Sequence, residues 1–108
     1  MAQEFTARMD LTNDAAEPLV FWVEPWAHDF TLAPGQSFTL LATSGGSVPH
    51  FAQRADSSTR DVVVYIECAH DVSFVVLEGT SELRCGHNRQ RSHGGSLPNT
   101  SLERTRER

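Results

Sequence analysis

Two five-residue runs, Leu19-Val20-Phe21-Trp22-Val23 and Val62-Val63-Val64-Tyr65-Ile66, constrain this chain more than any other feature. Each is short for a buried helix, and as a strand each is apolar on both faces because side chains alternate with a period of two. Such strands sit in the middle of a stack with both sides covered, or they leave an outer face open for a partner. The other apolar residues keep the same period: Phe5, Ala7, Met9 and Leu11 alternate with Glu4, Thr6, Arg8 and Asp10. Val72, Phe74 and Val76 likewise face away from Ser73, Val75 and Leu77. No window carries a helical stripe of 3.6-residue period.

Strands are therefore predicted at 5–11, 19–24, 29–32, 37–42, 48–53, 61–68, 72–77 and 81–85. The fold expected is all-β: a single-domain β-sandwich or jelly roll of seven to eight short antiparallel strands. Pro49 cannot donate to a ladder and assigns 48–53 to an edge. Ala33-Pro34-Gly35-Gln36 reads as a type II turn, which predicts a hairpin joining 29–32 to 37–42. Ser44-Gly45-Gly46-Ser47 reads as a flexible break, and the last three strands as a meander. From Gly86 the composition changes. Residues 1–85 hold 4 Arg and 12 acids, for −8, and residues 86–108 hold 5 Arg and 2 acids, for +3. The expected organisation is an all-β domain at 1–87 and a disordered basic tail at 88–108, solvated and without a partner.

At 108 residues and 39% apolar composition the chain supports one modest core. A net charge of −5 argues against nucleic acid as a partner, and no apolar run approaches the ~18 residues of a membrane span. The opening residues lack a basic segment followed by an apolar one, so a cytoplasmic protein is expected. Nine basic residues, all Arg, with a single Tyr and a single Ile, suggest the codon usage of a GC-rich bacterium. The two cysteines are then expected as free thiols or metal ligands.

Cys68-Ala69-His70 and Cys85-Gly86-His87 repeat one spacing, and residues i and i+2 of a strand project to one face. Together the four could complete a tetrahedral zinc set, with His50 as a spare imidazole. Against this stands the spacing itself, because zinc ligands usually come as C-x₂₋₄-C, where a turn wraps the metal. The bland reading makes Cys68 a small buried hydrophobe and places His70 and His87 in turns. Ala33-Pro34-Gly35-Gln36-Ser37-Phe38 followed by Val48-Pro49-His50 resembles the cupredoxins, in which a Pro-Gly turn and a Pro-His precede a later Cys and His. Here only Gly86 separates Cys85 from His87, no Met follows, and copper is not expected. Phe21-Trp22-Val23-Glu24-Pro25-Trp26 with Leu32-Ala33-Pro34-Gly35 resembles small bacterial all-β proteins with a Glu-Pro-Trp strand end and a Leu-x-Pro-Gly hairpin. That resemblance implies a compact β domain and brings no activity.

No nucleophile elbow, phosphate loop or dinucleotide fingerprint is present, so no enzyme is expected. Glu24 and Asp29 flank Pro25-Trp26 and could pair, although a strand-end carboxylate is commonly structural. Trp22, Trp26, Glu24 and Tyr65 are the candidate interface or ligand-binding residues, with Trp22 in the core or an interface and Trp26 on a functional surface. The function expected is a small non-enzymatic binding or assembly module for an unknown protein or small-molecule ligand, with a metal-binding β domain as the alternative. A homodimer is expected, covering Val20, Trp22, Val63 and Tyr65 on the second faces of the two doubly apolar strands.

Overall fold

The computed structural model describes residues 3–56 and 58–89. Its eight strands are β1 (Phe5–Thr12), β2 (Leu19–Glu24), β3 (His28–Leu32), β4 (Ser37–Ser44), β5 (His50–Ala55), β6 (Val62–Glu67), β7 (Val72–Glu78) and β8 (Ser81–Leu83). They form two four-stranded sheets, ordered β1-β4-β7-β8 (sheet I) and β3-β2-β6-β5 (sheet II). The all-β sandwich expected from the alternation is present. The two doubly apolar runs, β2 and β6, occupy the two central places of sheet II, and the strand that follows Pro49 lies at its edge.

The core lies between the sheets. Phe21, Val23, Val64 and Ile66 of the central strands meet Phe38, Leu40 and Ala42 of β4 and Val76 of β7, all buried. Phe21 anchors this layer: its ring stacks on Phe30 at 5.3 Å between centroids and meets Phe38 edge-on at 6.3 Å.

Three expectations about connectivity are corrected. The Pro34-Gly35 turn forms as foreseen, with Gly35 at φ 83° and Gln36 N–H donating to the Ala33 carbonyl at 3.0 Å. It joins no hairpin, however, because β3 lies in sheet II and β4 in sheet I. The last three strands are not a meander either, since the chain changes sheet between β6 and β7. Nor is every ladder antiparallel: β2 and β6 run parallel, Phe21 opposite Val62 and Val23 opposite Val64. The β5–β6 hairpin returns to sheet II on the far side of β2, so its second strand meets β2 pointing the same way.

The domain boundary also moves. Past β8 the chain lays a short stretch along the open edge of β3, where His87 bridges Phe30 in parallel. Gly86 N–H donates to the Asp29 carbonyl at 2.6 Å and Thr31 N–H to the His87 carbonyl at 2.9 Å. Asn88, expected in the tail, donates through Nδ2 to the Thr31 carbonyl at 3.3 Å. Through Arg89 the chain belongs to the domain, and the rest of the expected disordered tail, 90–108, lies outside the described residues.

A buried amide joins the two loops at one end. Asn13 is 1% exposed, and its Nδ2 donates to the carbonyls of Glu17 at 2.7 Å and Leu32 at 3.0 Å. Its Oδ1 accepts from Ala15 N–H at 2.9 Å. Asn13→Ala strands two carbonyls and one N–H together, and chemical denaturation should show a loss of about 2 kcal/mol. A change below about 0.5 kcal/mol would mean that water replaces the amide without penalty.

Candidate functional site

The outer face of sheet II follows from the same register that builds the core. With Phe21, Val23, Val64 and Ile66 pointing inward, Val20, Trp22, Val63 and Tyr65 must point outward. Val20, Trp22 and Val63 are half-buried, and Tyr65 is 36% exposed. The pairing sets Asp29, Trp22, Val63 and Arg54 side by side across four strands, and Glu24, Tyr65 and Ala52 in the next row. Trp22 Nε1–H donates to Asp61 Oδ2 at 3.1 Å, and the Arg54 guanidinium lies 5.7 Å from the Tyr65 ring centre.

Trp26 has a different position. Its ring lies 4.7 Å from that of Phe74 in β7, and the His28 ring lies 5.6 Å from the same Phe74. The β2–β3 turn is thus packed on the opposite sheet, and Trp26 serves the edge of the core while Trp22 serves the surface. Glu24 ends β2 across from Tyr65, in the row next to Asp29 rather than paired with it.

Trp22, Ala27, Asp29, Cys85 and Arg89 line a cleft of about 600 Å³ at the β3 edge. Asp29 is 5% exposed and is held by a two-pronged Arg89 fork, Nη2 to Oδ1 at 2.6 Å and Nε to Oδ2 at 3.0 Å. Cys85 Sγ donates to the same carboxylate at 3.7 Å. Burial pushes the Asp29 carboxyl up. The Arg89 hydrogen bonds and charge, a backbone N–H and the Cys85 thiol outweigh it and hold the group below the usual carboxylate range. Sequence reasoning missed Arg89 because the residue was assigned to the tail.

The two Cys-x-His pairs are not brought together. Among the described residues no group of three or more His, Cys, Asp or Glu is placed to hold a metal. Cys68 leaves a strand of sheet II and Cys85 a strand of sheet I, and the two thiols have different neighbours, Ser47 and Asp29. Cys85 faces Asp29, while His87 lies edge-on to Phe38 at 5.6 Å. His50, the spare ligand, opens β5 opposite Glu67.

Cys68 and His70 lie past the end of β6, in a bend rather than on a strand face, and both reach Ser47. Ser47 Oγ lies 3.4 Å from Cys68 Sγ and 3.1 Å from His70 Nδ1. The Ser44 and Ser47 hydroxyls and the His70 N–H hold the Cys68 thiol below its usual range, with a further contribution from the Ala69 N–H and a small opposition from burial. The Ser44-Gly45-Gly46-Ser47 segment is therefore a cradle rather than a flexible break. Its Gly46 backbone lies so close under the His70 ring that any Cβ there would collide with it.

No protein-family model matches the chain, and no curated protein or solved structure matches it. Among the described residues no helix is long and apolar enough to cross a membrane.

Proposed function

We propose that this protein is a small non-enzymatic binding or assembly module that works as a homodimer through the outer face of sheet II. The observation that supports this most is the clustering of Val20, Trp22, Val63 and Tyr65 on the outward side of the two central strands, half-buried at the first three positions and 36% exposed at Tyr65. A second copy is the occupant best suited to the patch. A two-fold axis parallel to the strands lays β2 of each copy over β6 of the other and matches each Trp22 ring to a Val63. The cleft beside Trp22 would take a small ligand against the indole face. A non-enzymatic reading fits the Asp29 carboxylate, which is committed to Arg89 rather than free for proton transfer. A cytoplasmic setting fits two free cysteines.

Sedimentation equilibrium at micromolar concentration should give twice the 12.0 kDa chain mass. Trp22→Glu should raise the dimer dissociation constant by at least about 30-fold while leaving the circular dichroism of the strands intact. A wild-type mass of 12.0 kDa that does not rise with concentration would count decisively against the dimer.

A further inference from the structure

The thiol of Cys68 sits among hydrogen-bond donors that the fold has assembled from two loops. Ser44, 2% exposed at the end of β4, accepts from Gly46 N–H at 3.3 Å and steadies the loop that carries Ser47. Ser47 Oγ approaches the sulfur to 3.4 Å, and His70 Nδ1 lies 3.1 Å from that hydroxyl. In the protonated state Cys68 Sγ also reaches the Ser47 carbonyl at 3.6 Å. Cys85 has the opposite surroundings: it is the more exposed of the two thiols, and its sulfur faces the Asp29 carboxylate. By exposure alone Cys85 should react first. By environment the order reverses, because the thiolate is the nucleophile and the Ser47 hydroxyl links Cys68 to an imidazole that can take its proton, whereas the Cys85 thiol is hydrogen-bonded to a carboxylate.

The geometry points to Cys68 as a modification site for small hydroperoxides, which oxidise it to a sulfenic acid with His70 as the proton store. The argument for a peroxide, rather than an alkylating electrophile, is the proton path. Cys68 passes its proton to His70 through Ser47 Oγ, and the thiolate attacks one oxygen of the peroxide. The S–O bond forms as the O–O bond breaks, so the sulfur is oxidised by two electrons and the peroxide is reduced by two. The departing hydroxide takes a proton from the Ser47 hydroxyl, which His70 Nδ1 replaces, and water leaves. An alkyl halide would need no such proton. The product oxygen then lies within reach of the same hydroxyl donors. The event is a stoichiometric modification and uses none of the four residues proposed for the dimer face.

The test treats the full chain with substoichiometric hydrogen peroxide in the presence of dimedone, then measures the adduct at each cysteine by peptide mass spectrometry. Cys68 should be labelled at least about fivefold faster than Cys85, and the ratio should fall to about one in concentrated urea. Ser47→Ala should slow Cys68 at least about tenfold while leaving Cys85 unchanged. Equal or faster labelling of Cys85 in the folded chain overturns the proposal, as does a selectivity that survives unfolding. A Cys68 that reacts quickly with iodoacetamide yet no faster than Cys85 with peroxide overturns the hydroperoxide assignment.

Discussion

A chain ending at Arg84 should be about 3 kcal/mol less stable than one ending at Arg89, and its melting temperature should fall by about 10–20 °C. The segment removed is short, but each of its residues performs a distinct task. Gly86 and His87 supply the two backbone hydrogen bonds that complete the β3 edge, and Asn88 adds a third from its side chain. The His87 ring covers part of Phe38. Arg89 neutralises Asp29, a carboxylate that the fold has taken out of water. Losing one partner of such a pair costs more than the pair contributes, although the half-exposed Arg89 side chain tempers the effect. The shorter chain also presents an unpaired β3 edge and should associate edge to edge at high concentration. Differential scanning calorimetry of the two chains at one concentration decides the matter, and a difference under about 3 °C would show that the segment rests on β3 without supporting it.

The same pair sets a pH dependence. The folded pKa of Asp29 lies below its unfolded value of about 3.9, so its contribution is fully present above that value. It is lost as pH falls through the lower, folded value. Arg89→Ala should therefore narrow the stability gap between neutral pH and pH about 2 relative to the parent chain.

Phe21→Ala should be the most damaging single substitution in the core, with a loss of about 3–5 kcal/mol. Phe21 is 0% exposed and touches rings from its own sheet and from the facing one, so truncation leaves a void bounded on both sides by rigid strands. Against a typical total of about 5–15 kcal/mol, such a loss brings a domain of this size close to unfolding at room temperature. A urea midpoint that drops with an unchanged slope is the expected result. A loss below about 1 kcal/mol would require the layer to collapse around the missing ring, which the close packing of Phe30 and Phe38 opposes.

Local patterns carried the strands well and their partners poorly. Alternation, β-branched runs and turn formers marked the strands, and double-sided apolarity marked β2 and β6 as central or open to a partner, because these are properties of a strand's own side chains; the structure puts both at the centre of sheet II. Partner choice is not such a property. The Pro34-Gly35 turn was readable in its dihedral angles, yet the same turn can lead into a hairpin or across to the other sheet, and only the docking of β4 between β1 and β7 decides which. The candidate sites divide in the same way. The repeated Cys-x-His singled out Cys68 and His70, but their meeting point was not legible: both lie past the end of β6, and Ser47 comes from a loop some twenty residues earlier that glycines made look featureless. Arg89 was hidden by composition, since a basic residue next to a Ser- and Arg-rich stretch resembles tail until its carboxylate is known.

The parallel pairing of β2 with β6 has a consequence for the order of folding. Phe21 must find Val62 across roughly forty intervening residues, and β1, β4 and β7 must likewise assemble from distant parts of the chain. Only the β2–β3, β5–β6 and β7–β8 hairpins are local, and an isolated hairpin is barely stable in water. The early chain therefore holds three fleeting hairpins and no sheet, and loop closure consumes entropy before any central strand is rewarded. Folding of this sandwich is a late, collective event limited by topology, during which the apolar outer faces of β2 and β6 stand open to whatever else is in solution.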